Sequence, residues 1–464
     1  MQNFIKPSLD YIEQNLKTDI AAEELAQMTG YSVGHYCRLF TQITGSSVAN
    51  YITQKRVNYA LAEISSGRKA IDTVLEYGFD TYAGFYKAFI KMYGCSPSKM
   101  IGKNQNQTQK NLTPKELEEK FMDYMKIAKE ALKAYPINNA TIEFINQSQG
   151  AVYKVIDENN KLYCLKLYVS ADNDIPEKNT VNSELEWVAA IAGDTDITVP
   201  ESYKNINGEY VTVVDGICCS LMKWLDGEQP VQNRMMWALF GDEDDINGRE
   251  DKEEALSYIK VIGTLHKHAS EWQPPAGFER PINDITDADL AEIIAGFDIL
   301  NNLDTGMYNK NSLEIIKQAG IKAIEKKKTY EKNNKTWGLV HDGFIWFNYI
   351  VNNKEIYPID FAGCGYNYYM ANLAQGMHFT SPFKRQFFLD MYSKYFPLPD
   401  DYVSQLETFT ITTELQVIGH YLKREDRDGG WLASDFNYWA NGEFGYYLKG
   451  EPFLFDKKAF YQFQ

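Results

Sequence analysis

Two groups of residues in this 464-residue chain have types and spacings that can do chemistry. The first is a pair of basic residues, Arg38 and Lys87, standing at equivalent places in a repeated pattern. Arg38, Phe40, Gly45 and Ser47 are matched by Lys87, Phe89, Gly94 and Ser96 at a constant offset of 49. A basic side chain on the exposed face of a short helix can hold phosphates while its neighbours read base edges. A single such residue is ordinarily only solvated; recurrence at matched places argues for a shared role. The second group is Lys166, flanked by Leu165 and Leu167, with Glu184 or Glu186 on the next helical run. A strand lysine paired with a helix carboxylate can grip the α and β phosphates of a nucleotide, part of the small fixed set of charges that phosphoryl transfer requires. Taken alone, each of these side chains is more ordinarily a solvated charge.

Short helices position the first group. Ile5, Leu9, Ile12 and Leu16 recur at helical spacing and predict an amphipathic opening helix. AEELAQMTG ends on Gly30, and Ser32 stands where an N-cap starts the helix SVGHYCRLFTQIT. The arrangement returns as TVLEYG, Gly78, Asp80 in the capping position, and the helix TYAGFYKAFIKMYG. A duplicated helix-turn-helix is the economical reading. On its first recognition helix Val33, Gly34, His35 and Arg38 face outward, while Tyr36, Leu39 and Phe40 belong to the core. On the second, Thr81, Tyr82, Ala83 and Lys87 face outward and Phe85 and Phe89 are buried.

A different class of text positions the second group. After the helical stretch PKELEEKFMDYMKIAKEALKAY, the runs TIEFI, AVYKVID and KLYCLKLYVS read as strands, the last two joined by an ENN turn. A helix through SELEWVAAIA follows, then strand runs YVTVVD and ICCSLMKWL, then mostly helical text to the end. A small β lobe before a large helical lobe predicts a two-lobed, kinase-like α+β architecture. The polar run KNQNQTQKN, residues 103–111, can bury nothing and separates the two classes. We therefore assign an all-α domain to 1–103, a linker to 104–112 and an α+β domain to 113–464, its β lobe at about 138–228 and its helical lobe at about 229–464.

Charge divides at the same place. Residues 1–105 carry 11 Lys and Arg against 9 Asp and Glu, a net of +2, whereas the remainder of this −16 chain carries −18. With 44% hydrophobic and 24% charged residues, disorder and low-complexity polymers are excluded. No stretch reaches a membrane-spanning length and the N-terminus lacks the order of a signal peptide, so a cytoplasmic location is expected. Six scattered cysteines without a CxxC pair, and six histidines without ligand spacing, argue against a zinc site or a disulfide framework.

Two resemblances extend these readings. Over nearly all of residues 5–100 the chain resembles the DNA-binding domain of AraC/XylS-type transcription regulators, through Gly78-Phe79, Phe85-Tyr86-Lys87-Ala88-Phe89 and Gly94-Cys95-Ser96-Pro97. Thr73 replaces an apolar residue usual there. The resemblance implies double-stranded DNA as partner, two recognition helices in successive major grooves about 34 Å apart, and often a dimer. Over roughly residues 140–420 the chain resembles aminoglycoside phosphotransferase and choline-kinase-like enzymes, chiefly in LVHDGFIWFNYIVNNKEIYPIDFAGCGYNYYMANLA and in IGTLHKHASEWQPPAGFERP. That likeness implies His341 and Asn348 as the ends of a His-x-Asp-x-x-x-x-Asn loop, Asn348 and Asp360 as metal ligands, and Met222, Lys223 and Trp224 as the adenine-reading hinge. ATP or GTP with Mg2+ is the implied cofactor.

One departure governs the functional reading. In the register of His341 and Asn348 the catalytic Asp position holds Gly343, which can neither orient nor deprotonate a hydroxyl, and Asp342 sits one residue early. Ala362-Gly363, Asn372 and a single phosphate-loop glycine, Gly150, depart further. The expectation is a ligand-responsive DNA-binding regulator whose kinase-like domain senses a nucleotide or small molecule, with catalysis lost or reduced. The alternative is an active small-molecule phosphotransferase, Asp342 serving as base, with an accessory DNA-binding module. The −18 charge suits a cationic effector as well as plain solubility, and Trp346, Phe347, Tyr366, Tyr368 and Tyr369 suit a cation-π cage or helix packing.

Overall fold

The computed structural model describes residues 6–29, 33, 36–37, 40, 47–93, 97, 100, 124–147, 150–169, 175–229, 252–302, 309–344, 348–377, 380, 382–423 and 431–456. The linker assigned to 104–112 lies outside them, as do Gly34, His35, Arg38, Leu39, Trp346 and Phe347. The chain gathers into two compact units, residues 1–185 with 201–224, and 186–200 with 225–464.

The first unit opens with helices α1 (Lys6–Gln14), α2 (Ala22–Thr29), α3 (Val48–Ser65), α4 (Ala70–Glu76) and α5 (Tyr82–Tyr93). The central helix α3 starts where the Ser47 hydroxyl accepts the Asn50 N–H, and it turns Val57, Ala60 and Leu61 into the core. Tyr36, Phe40, Phe85 and Phe89 are fully buried around it, as expected from the repeat. Buried Thr73 bonds its hydroxyl to the Lys69 carbonyl, so the polar atom in an apolar position is satisfied. Between α4 and α5 the chain reverses at Gly78, whose φ of +77° is a backbone conformation that side-chain-bearing residues rarely adopt. Helix α5 begins one residue later than the sequence predicts. Thr81, not Asp80, is its cap, for the Thr81 hydroxyl accepts the Gly84 N–H at 3.0 Å.

Strands β1 (Thr141–Gln147), β2 (Ala151–Ile156), β3 (Leu162–Leu167), β4 (Ser202–Tyr203), β5 (Thr212–Val214) and β6 (Ile217–Lys223) follow in the same unit. They form one antiparallel sheet in the order β1-β2-β3-β6-β4, with β5 also on β6. The β2–β3 turn is built by Asp157, which accepts the N–H groups of Asn159 and Lys161. Helix α5 packs against β1, the strand at the end of the sheet, and a single apolar core runs from Ile12 through Phe89 and Phe144 to Leu221. Helix α6 (Lys178–Asp194) lies in sequence between β3 and β4.

The second unit holds α7 (Lys252–Glu271), α8 (Asp287–Asn302), α9 (Lys310–Lys327), α10 (Tyr369–Met377), α11 (Pro382–Tyr392), α12 (Tyr402–Leu422), α13 (Trp431–Asn441) and α14 (Glu443–Lys449). It is not helical throughout. Four four-residue strands, β7 (Trp337–Val340), β8 (Tyr349–Asn352), β9 (Glu355–Pro358) and β10 (Gly365–Tyr368), pair as β10-β7 and β8-β9. Asn353 and Lys354, both at positive φ, turn β8 into β9 in two residues, as a tight hairpin requires.

Candidate functional site

On the helix-turn-helix side, Thr81, Ala83 and Lys87 are exposed at the start and on one face of α5, and Val33 is exposed near the first recognition position. Tyr82 departs from the outward reading. It is half-buried, 5.8 Å from the Phe85 ring and 6.3 Å from Tyr86, and packs on the core. Gly34, His35 and Arg38 lie outside the described residues. Thr81 serves as cap, yet its hydroxyl keeps its own proton to donate.

In the sheet, Lys166 points from β3 with only 6% of its surface exposed, and Glu184 on α6 is equally buried. Tyr168 joins the two: the Lys166 ammonium lies 4.9 Å from its ring centre, and its hydroxyl donates to Glu184 at 3.3 Å. Of the two acidic residues considered, Glu184 is the one that Tyr168 links to Lys166. Gly150 is required where it stands, because a Cβ there would meet the Leu167 carbonyl at 2.6 Å and the Lys166 side chain at 3.3 Å. The loop before β2 therefore presses directly on the lysine. Met222 is held within the ladder opposite Cys164 and Ser202, and the Lys223 N–H is spent on the Glu201 carbonyl. Trp224 is the first residue past the paired part of β6, under the Lys154 ammonium at 4.9 Å, so of the three hinge residues it is the one placed beyond the ladder.

The second unit assembles His341, Asp342, Gly343, Asn348 and Asp360 around the β8–β9 hairpin. Asn348 and Asp360 flank its open end, tied by the Ile359 N–H to the Asn348 carbonyl at 2.9 Å. The Asn348 amide nitrogen donates to the Gly343 carbonyl at 2.7 Å, which turns its Oδ1 away from that bond. An amide oxygen and a carboxylate are the hard donors that Mg2+ accepts beside phosphate oxygens, so this pair fits the implied metal. A cation there would neutralise phosphate charge.

His341, expected as catalytic, occupies a positioning place. It is 1% exposed, bonds through Nε2 to the Ile359 carbonyl at 3.0 Å, and lies between the rings of Phe344 and Phe361. Asp342 and Asp360 both take left-handed backbone, φ 45° and 60°, a conformation that concentrates at constrained sites. Burial lifts the Asp342 carboxyl to about 6, opposed by hydrogen bonds from Asn283 and Gln375. Gly343 has φ +103°, and although a Cβ there would come no closer than 3.6 Å to the Asn348 amide nitrogen, that backbone disfavours any side chain.

The supporting residues were not singled out in the sequence, although Arg280 lies within IGTLHKHASEWQPPAGFERP and Asn283 just beyond it. The Arg280 guanidinium donates to the carbonyls of Ala362 and Cys364, and Asn283 donates to that of Gly363, clamping the loop after Asp360. Gln375 on α10 accepts the Gly343 N–H at 3.1 Å and donates to Asp342 at 3.4 Å. The one signal available in the sequence was the polar pair Asn372 and Gln375 within the apolar text YMANLAQGM. Among the described residues no group of three or more His, Cys, Asp or Glu could hold a metal ion, and no helix is long and apolar enough to cross a membrane.

Comparison with known proteins divides the chain in two. A helix-turn-helix domain family matches residues 25–102. The HTH-type transcriptional activator AarP of Providencia stuartii is 34% identical over 97 residues, which are 21% of this chain and 72% of that protein. The transposon Tn10 TetD protein of Escherichia coli is 33% identical over 95 residues, 20% of this chain and 69% of that protein. Among solved structures, the amicoumacin kinase hAmiN in complex with AMP-PNP, Ca2+ and Ami superposes with a TM-score of 0.53 at 15% identity, over 72% of this chain and 96% of that one. A microcompartment-associated aminopropanol kinase superposes at 0.50 and 19% identity, over 70% and 98%. These last two show a shared bilobal kinase-like fold.

Proposed function

We propose a function for a chain that belongs to the AraC/XylS-type helix-turn-helix family and joins that DNA-binding regulator domain to an aminoglycoside phosphotransferase-like fold: ligand-responsive control of transcription, with the kinase-like part sensing a nucleotide or small molecule and phosphoryl transfer lost or much reduced. The observation that carries this reading is Gly343 at φ +103°. The residue aligned with a catalytic base has no side chain and a backbone that does not welcome one. Losing a positioned base costs roughly 10²–10⁴ in rate on general acid–base grounds. Lys166, Asn348 and Asp360 remain, which supports retained binding of a nucleotide with a divalent cation, and the kinase hAmiN of like fold holds AMP-PNP with Ca2+. The acidic second part suits a cationic effector as well as plain solubility. A cytoplasmic location follows from DNA as the target.

A second reading has its own observation. The Asp342 carboxyl, near 6, titrates close to working pH and so has the strength a general base needs. Calorimetric titration of the full chain with Mg-ATP separates the two, with Asp360→Ala as control. Binding without continuing heat, lost in the control, is the expected result. Sustained turnover heat abolished by Asp342→Asn would establish the active phosphotransferase instead, and absence of binding would end the nucleotide reading.

A further inference from the structure

Gly343 is tied through its backbone on both sides. Its N–H goes to the Gln375 side-chain oxygen at 3.1 Å, and its carbonyl receives the Asn348 amide at 2.7 Å. The residue is thus a hub between helix α10 and the proposed metal ligand Asn348, and the left-handed backbone of glycine allows both groups to be aimed at once.

Behind Gln375 runs a buried chain of polar groups whose directions agree. The Tyr392 hydroxyl donates to His266 Nδ1 at 2.7 Å, and His266 Nε2–H donates to Asn372 Oδ1 at 3.0 Å. The Asn372 amide donates to Gln375 Oε1 at 3.2 Å, and the Gln375 amide donates to Asp342 Oδ1 at 3.4 Å. His266 and Tyr392 are fully buried, and desolvation holds the imidazole to about 4, so it is neutral and can donate on one side while accepting on the other. Every donor in this chain points toward the loop of residues 341–348. Such head-to-tail bonds polarise one another and fix the orientation of the last member. Helix α10 contributes two of the five groups, three residues apart on one face.

We propose that Gln375, oriented by Asn372, His266 and Tyr392, is the positioning residue that holds Gly343 and through it sets Asn348 for a divalent cation. This rests on the reading of residues 341–360 as a metal–nucleotide site. The glycine at position 343 is then a gain as well as a loss: it gives up a base and supplies the peptide through which a helix in the core steers a ligand residue on the loop.

The test uses the full chain, AMP-PNP as a probe that is not turned over, and the ratio of its affinity with and without Mg2+. Gln375→Leu removes both contacts to the loop. Residues behind a metal ligand typically contribute about 10–100-fold to metal affinity, so the Mg2+ enhancement should collapse by about tenfold or more in this variant while metal-free affinity stays near that of the parent. Gln386→Leu, at an exposed residue on α11 whose side chain donates to Asp390, should leave both unchanged. Equal losses with and without metal would mean general damage and overturn the proposal, as would an unchanged ratio. If the parent chain binds no nucleotide, the functional reading fails by itself, and the proposal is decided by amide hydrogen exchange without ligand. The Gly343 amide should be protected in the parent and exchange at least about tenfold faster in Gln375→Leu; equal exchange would refute it.

Discussion

Burial and hydrogen bonding pull the Asp342 carboxyl in opposite directions, and burial wins, raising it to about 6 against an ordinary value near 4. A carboxyl raised in the folded state helps stability only while protonated. Its favourable contribution is complete below the unfolded value and is lost as pH rises through 6. Asp342→Asn should therefore be more stable than the parent at pH 8, by about 3 kcal/mol at most, with the difference fading by pH 4. Denaturant melts at the two pH values measure this; no gain at pH 8 would show that Asn283 and Gln375 already compensate the charge. At this scale the segment that brings His341, Asn348 and Asp360 together was legible, because a loop with fixed spacing is a local pattern. Gln375, Asn283 and Arg280 were not, since an amide or guanidinium on its own reads as surface, and only the fold brings Gln375 to the Gly343 N–H and residues 280–283 to the loop after Asp360.

Helix α5 separates two kinds of contribution to DNA binding. Thr81 acts on the helix: removing its cap in Thr81→Ala should cost about 1 kcal/mol of stability. In the proposed reading exposed Lys87 meets phosphate, so Lys87→Ala should leave the melting point in place, weaken DNA binding at every sequence and lower the salt slope by about 1. Melting curves, with fluorescence anisotropy at several salt concentrations, distinguish the two; an unchanged salt slope would remove Lys87 from the interface. Asp80 and Thr81 are adjacent and equally good caps, so the sequence could not say which begins the helix; the answer depends on whose side chain reaches the Gly84 N–H. Strands β7 to β10 escaped notice for another reason. Over four residues an alternating pattern is indistinguishable from a helical one, and these strands are held by their partners rather than by propensity.

On the scale of the molecule, the change of charge and class near residue 105 was plain in composition. Composition could not tell that elements on either side of the polar run would share a core, because that depends on which apolar faces meet. In the first unit they do meet, in a cluster reaching from α1 to β6. The helix-turn-helix and the sheet should accordingly unfold together. Tryptophan fluorescence of Trp224 beside β6 and the loss of DNA binding should report one midpoint on heating, whereas a DNA reader that melts separately, several degrees below the sheet, would show that the common core contributes little.

The seating of α5 against β1 has a consequence for how such a fusion persists. A terminal strand stripped of its neighbour presents a row of unpaired N–H and C=O groups, a template onto which strands of other molecules can add. Here the neighbour is helix α5. A chain cut short by its first hundred residues would bare β1 and lose half of the core it shares with the sheet, and it should aggregate under conditions where the full chain does not.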